Sequence, residues 1–155
     1  MPGGSGPHKR VFTFWKRLGA HNGAAKEGRV ARILIAEDSD EVRSFVARAL
    51  SRDGHIVDTV EDGMKALEAL AEESYDLIIA DIVMPELDGI SLALMVAKEK
   101  PELPILLMTG YAAERERAHN LDALIRDVIV KPFTLKDICD AARRVLAQDP
   151  VGTTH

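Results

Sequence analysis

Aromatic side chains make up only 5% of this 155-residue chain, too few for the stacked-ring platform that holds single-stranded nucleic acid. One cysteine, Cys139, rules out a disulfide within the chain and fits a reducing, cytoplasmic setting. No apolar run approaches the ~20 residues that a membrane span requires, and no A-x-A-like cleavage site follows an apolar core, so no secretory signal is read. What is present is ordinary for a globule: 46% of residues are hydrophobic and 29% charged. The length suits one domain, which would bury roughly two-thirds of its unfolded surface.

The net charge of −5 hides an asymmetry. Residues 1–29 carry six Lys/Arg against one Glu, whereas residues 30–155 carry fourteen against twenty-four. The main body is therefore acidic, a poor match for a nucleic-acid backbone. Residues 1–29 begin rich in Gly and Pro and lack a sustained period, so a basic, disordered leader is expected there. Within it, Val11 to Leu18 has the makings of a short surface anchor. A competing expectation is that translation starts at Val30. Lys26-Glu27 can be encoded as AAG-GAG, a ribosome-binding sequence, and a GTG codon for Val30 can serve as a start. Residues 148–155 are expected to be a flexible tail.

Between these ends the hydrophobic pattern alternates between two periods. Apolar runs at 33–36, 56–60, 77–80, 105–108 and 128–130 read as strands. Val42, Phe45, Val46, Ala49 and Leu50 form one helix face; Ala66, Leu67 and Leu70 a second; Ile90, Ala93, Leu94 and Ala97 a third. Residues 114–125 give a weaker fourth helix. Ile138, Ala141, Ala142, Val145 and Leu146 give a fifth, with Thr134 as N-cap and Asp137 in capping-box position. Five β/α alternations predict an α/β domain over residues 30–147, a doubly wound, five-stranded parallel sheet with helices on both faces. In such sheets the working groups sit at the carboxyl ends of the strands.

Those ends are where the charge is. The first strand runs into Glu37-Asp38, the third delivers Asp81, and the fifth runs into Lys131-Pro132. A carboxylate in a dry site costs several kcal/mol unless paired, so the pattern is not explained by stability. Two carboxylates ~5 Å apart repel by roughly 3 kcal/mol at an effective dielectric of 20. Lys131 supplies one compensating charge. Hard oxygen ligands with open positions also suit Mg²⁺, and the absence of His and paired Cys from these strand ends points away from zinc. A surface salt-bridge cluster is the plainer alternative on residue types alone.

The order of the motifs is more specific. Glu37-Asp38, Asp81 followed by Met84-Pro85 and Asp88-Gly89, Thr109 ending the fourth strand, and Lys131-Pro132 after the fifth together resemble the receiver domain of bacterial two-component response regulators, a CheY-like fold, over residues 32–147. The resemblance implies that Asp81 accepts a phosphoryl group from a phosphohistidine on a sensor histidine kinase or histidine phosphotransferase. It implies Mg²⁺ held by Glu37, Asp38, Asp81 and the backbone carbonyl of Val83. Thr109 and Lys131 would then contact phosphoryl oxygens, and the Lys131-Pro132 bond would be cis. Such a protein catalyses nothing beyond its own phosphorylation and dephosphorylation.

The chain departs from the usual receiver at Val128, where an aromatic switch residue is common. Tyr111, two residues after Thr109, is the nearest aromatic, and Gly110 between them leaves an approach open to a partner. Ala36-Glu-Asp-Ser-Asp-Glu-Val-Arg43, Asp81 to Ile90 and Met108-Thr-Gly-Tyr-Ala112 look most like the stand-alone CpdR-type regulators of alphaproteobacteria. The residues after Leu146 are too few for a DNA-binding helix-turn-helix, so output is expected through the face of residues 112–147 onto an unidentified effector, with a protease adaptor or a kinase as candidates. A phosphate shuttle or sink without a separate effector is the alternative. A related-looking aspartyl-phosphate phosphatase would need a D-x-D pattern that Asp81-Ile82-Val83 lacks. His55 and His119 read as surface histidines, and Cys139 as a helix residue without a redox role.

Overall fold

The computed structural model describes residues 30–110, 116, 118 and 125–148. Among these the order is β1 (Arg32–Ala36), α1 (Asp40–Arg52), β2 (Ile56–Val60), α2 (Gly63–Glu72), β3 (Leu77–Asp81), α3 (Gly89–Glu99), β4 (Ile105–Thr109), β5 (Asp127–Val130) and α4 (Leu135–Ala147). The leader, the surface anchor at 11–18, Tyr111, His119, most of the helix expected at 114–125 and most of the tail lie outside the described residues; Glu116 and Ala118 are helical. No helix among the described residues is long and apolar enough to cross a membrane.

The five strands form one parallel sheet in the order β2-β1-β3-β4-β5. Strands of such a sheet are covered on both faces, which is why they read as unbroken apolar runs. Their side chains alternate between two cores. Leu34, Ala36, Ile78, Ala80, Ile105 and Leu107 pack with α2 and α3. Ile33, Ile35, Leu77, Ile79, Leu106 and Met108 pack with α1 and α4. Helices α1 to α4 each start on a side-chain cap: Ser39, Asp62, Asp88 and Thr134 each accept from an amide three residues on. The Thr134–Asp137 capping box is present as expected. Caps of this kind contribute about 1 kcal/mol each.

Two expectations change. The buried face of α3 comprises Gly89, Ile90, Leu92, Ala93 and Val96, while Leu94 is 45% exposed. The run Leu92–Ala97 is apolar throughout and offers two overlapping helical faces. Periodicity cannot choose between them; packing against the sheet does. His55 is not a surface residue but only 8% exposed. It sits between α1 and β2, where its Nδ1 accepts from the Ala31 amide at 3.1 Å. The ring thereby pairs a donor that the start of β1 buries.

Because β1 lies between β2 and β3, the connections leaving β1 and β3 diverge and open a crevice at their carboxyl ends. The segment 82–88 that follows β3 is tightly held there. Gly89 donates its amide to the Ile82 carbonyl at 2.9 Å. A Cβ on Gly89 would stand 2.3 Å from the Asp81 carbonyl oxygen, and one on Gly63 would stand 2.3 Å from that of Leu87. Both obstacles are backbone. Glycine to alanine in a helix ordinarily stabilises by roughly 0.4–1 kcal/mol. Gly89→Ala is instead expected to lower the unfolding free energy by about 1–3 kcal/mol, the usual cost of overpacking, as measured by urea unfolding. An unchanged midpoint would show that the segment yields.

Candidate functional site

The acidic edge is assembled from three loops. Past β1, the Glu37 amide donates to the Val60 carbonyl at 3.1 Å, extending the ladder by one residue. Glu37 is then turned inward and is 1% exposed. Its Oε2 accepts from the Ser39 amide at 3.0 Å, and its Oε1 from Lys131 Nζ at 3.0 Å. Asp81 ends β3 and continues the row of Leu77 and Ile79. Its Oδ1 lies 2.6 Å from Lys131 Nζ, and its Oδ2 accepts from the Val83 amide at 3.0 Å. Lys131 is delivered by β5, where its amide donates to the Thr109 carbonyl at 2.7 Å. One ammonium thus bridges two buried carboxylates.

Asp38 completes the group. Glu37, Asp38 and Asp81 each offer a carboxylate oxygen, all within 4.8 Å of one another. Burial pushes the Glu37 carboxyl upward, against the pull of the Ser39 amide and Lys131. Burial likewise raises Asp81, against Lys131 and the Val83 amide. For Lys131, burial favours the neutral amine, but its hydrogen bonds to Asp81 and Glu37 outweigh that and raise it, so it remains an ammonium. The carboxyls are thus crowded and under-compensated. An all-oxygen donor set of this kind fits a hard cation such as Mg²⁺.

Thr109 ends β4 and is buried, next to exposed Gly110. The register pairs Asp81 with Met108, so Thr109 stands one residue further along on the neighbouring strand. The Lys131–Pro132 peptide is cis. Val83 follows Asp81 with 52% of its surface exposed. Val128, in place of an aromatic, packs against the α2/α3 core. Sequence reasoning missed Ser39 and Arg43. Arg43 donates Nη1 to the Glu37 carbonyl at 2.8 Å. Ser39 was legible as a cap three residues before the apolar face begins at Val42; Arg43 had no comparable signal.

A cleft of about 260 Å³ lies at the opposite edge of the sheet, among Tyr75, Lys100, Leu103 and Arg126. It mixes cations with acids, and no metal-ligating cluster is found there among the described residues. The chemistry is concentrated at the carboxyl edge.

Comparison with known proteins agrees with this geometry. Residues 33–143 match the response regulator receiver domain. The chain is 38% identical over 115 residues to the response regulator receiver protein CpdR of Brucella abortus, covering 74% of this chain and 96% of that protein. It is 33% identical over 126 residues to the transcriptional regulatory protein TcrA of Mycobacterium tuberculosis, covering 80% of this chain and 50% of the relative. It therefore spans about half of TcrA and nearly all of CpdR. Among solved structures, the response regulator TrrA of Thermotoga maritima, in complex with Mg²⁺ and BeF, superposes with a TM-score of 0.68 at 29% identity, covering 74% of this chain and 97% of that one. Receiver domains are signalling modules phosphorylated on an aspartate; they bind Mg²⁺ at an acidic pocket and interact with histidine kinases or phosphotransferases. The chain belongs to the response regulator receiver domain family.

Proposed function

We propose that Asp81 is the phosphoacceptor of this receiver, and that the chain signals by phosphorylation-dependent binding to a partner protein. The observation that carries the reading is the surroundings of Asp81. A 5%-exposed carboxylate at a strand end has one oxygen on a lysine, the other on a backbone amide, and two further acids within ligand distance. In the transfer, a carboxylate oxygen of Asp81 bonds to phosphorus as the P–N bond to the donor imidazole breaks. The electron pair of that bond stays on the imidazole nitrogen. Lys131, already at Asp81, neutralises charge on the incoming phosphoryl oxygens, and Thr109 donates its hydroxyl to another. Little covalent chemistry is asked of the protein; positioning and charge neutralisation supply the rate.

Glu37, Asp38, Asp81 and the Val83 carbonyl would hold Mg²⁺, which when bound offsets negative charge between the acids and the phosphoryl group. The donor of the phosphoryl group is a sensor histidine kinase or histidine phosphotransferase. Gly110 and Pro132, both exposed beside the site, leave its rim open to such a partner; Tyr111, next to Gly110 in sequence, lies outside the described residues. The likeness to CpdR, a receiver protein matched over 96% of its length, supports reading the output as docking to a partner protein.

Three outcomes are expected. Asp81→Asn should lose Mg²⁺-dependent, acid-labile labelling by acetyl phosphate or a cognate kinase, because an amide is a poor nucleophile; retained label would reject Asp81 as acceptor. Asp38→Ala should weaken Mg²⁺ binding yet leave the melting temperature in metal-free buffer unchanged or raised, since it relieves repulsion between acids. A large drop there would make the cluster structural. Val83 is apolar and cannot orient a water behind phosphorus, so the acyl phosphate should be long-lived. Val83→Asn, combined with Tyr111→Glu, should shorten its lifetime by about 10²-fold, the scale of a positioned polar group. A wild type that loses phosphate within seconds contradicts this.

A further inference from the structure

We infer that Arg43 is a positioning residue for the divalent-cation site of Glu37, Asp38 and Asp81, acting through the backbone rather than through its charge. The inference rests on the Mg²⁺ reading above. Every polar group of Glu37 is engaged, each by a different part of the molecule. Its amide donates to Val60 at 3.1 Å, its Oε1 accepts from Lys131 at 3.0 Å, and its Oε2 accepts from Ser39 at 3.0 Å. Its carbonyl accepts from Arg43 Nη1 at 2.8 Å.

Asp38 is the contrast. Its side chain is exposed and makes no hydrogen bond or ion pair among the described residues. No described residue holds the carboxylate, so the backbone that carries it is what sets its position among them. The peptide plane joining Glu37 to Asp38 is defined by the Glu37 carbonyl, and Arg43 is its hydrogen-bond donor. The guanidinium is itself anchored. Its Nη2 pairs with Asp40, and the Arg43 amide donates to the Ser39 carbonyl at 2.9 Å. A planar fork can hold a carbonyl and a carboxylate at once; a lysine ammonium has no such geometry.

Charge and position make opposite forecasts, which renders the inference testable. A cation hydrogen-bonded to the backbone of a site that gathers three carboxylates competes with Mg²⁺, so on charge alone its removal should tighten metal binding. Loss of the clamp should loosen it. Groups that orient metal ligands typically change affinity by 10–100-fold when removed. Titration calorimetry of MgCl₂ into the full chain is expected to show Arg43→Met and Arg43→Lys both binding roughly tenfold more weakly than wild type, at the lower end of that range. Unchanged or tighter binding in Arg43→Met would overturn the inference. A wild type without saturable Mg²⁺ binding would overturn the metal reading, and this inference with it.

Hydrogen exchange separates positioning from general destabilisation without any metal. In metal-free buffer the Ser39 amide of Arg43→Met should exchange about tenfold faster, as a local opening of the loop. The amides of Ile33 and Ile35 in β1 should keep wild-type rates. Equal loss of protection in β1 would make Arg43 a fold-stabilising residue and nothing more.

Discussion

The bridge from Lys131 to Glu37 and Asp81 is the interaction on which the rest of this molecule turns. Two carboxylates from separate strand ends are buried within ligand distance of a third acid, and one ammonium touches both. Its position depends on the sheet order, because β1 and β3 are neighbours and β5 reaches the site through β4. A buried charge that loses its partner costs several kcal/mol. The acids and the lysine therefore stand or fall together. The lysine compensates incompletely, as the upward push of burial on both carboxyls indicates. That residual negative charge suits a hard cation, whose own charge would offset it.

The scaffold is arranged to hold this edge rigid. Both faces of the sheet are covered by separate cores, and helices α1 to α4 each begin on a capped residue. Three of the caps follow strands that matter to the site. Ser39 follows Glu37-Asp38, Asp88 closes the segment after Asp81, and Thr134 follows Lys131-Pro132. The same short connections that turn chain into helix thus orient the functional side chains. Phe45 of α1 packs against Phe133 with ring centroids 6.2 Å apart, tying α1 to the loop that carries the lysine.

Much of this was legible in the sequence, for a physical reason. Strands buried on both faces must be apolar, so a charge at a strand end stands out, and Glu37, Asp38, Asp81 and Lys131 all did. The α4 face and its capping box were equally readable, because Ile138, Ala141, Ala142 and Val145 alternate with charged residues. The α3 face was not, since Leu92–Ala97 has no polar residue to mark a side. His55 was misjudged because its burial depends on the Ala31 amide, a partner 24 residues away. Arg43 escaped notice for the same kind of reason: a side chain serving a backbone carbonyl leaves no trace in residue type or period.

The central claim is that Asp81 carries the phosphoryl group. Borohydride reduces an acyl phosphate to an alcohol and leaves free carboxylates intact, so the acceptor is converted to homoserine and can be located by peptide mass spectrometry. After reaction with acetyl phosphate and Mg²⁺, homoserine is expected at position 81 and nowhere else in the chain. Homoserine at Asp38 or another acid, or its absence after demonstrated labelling, would contradict the account.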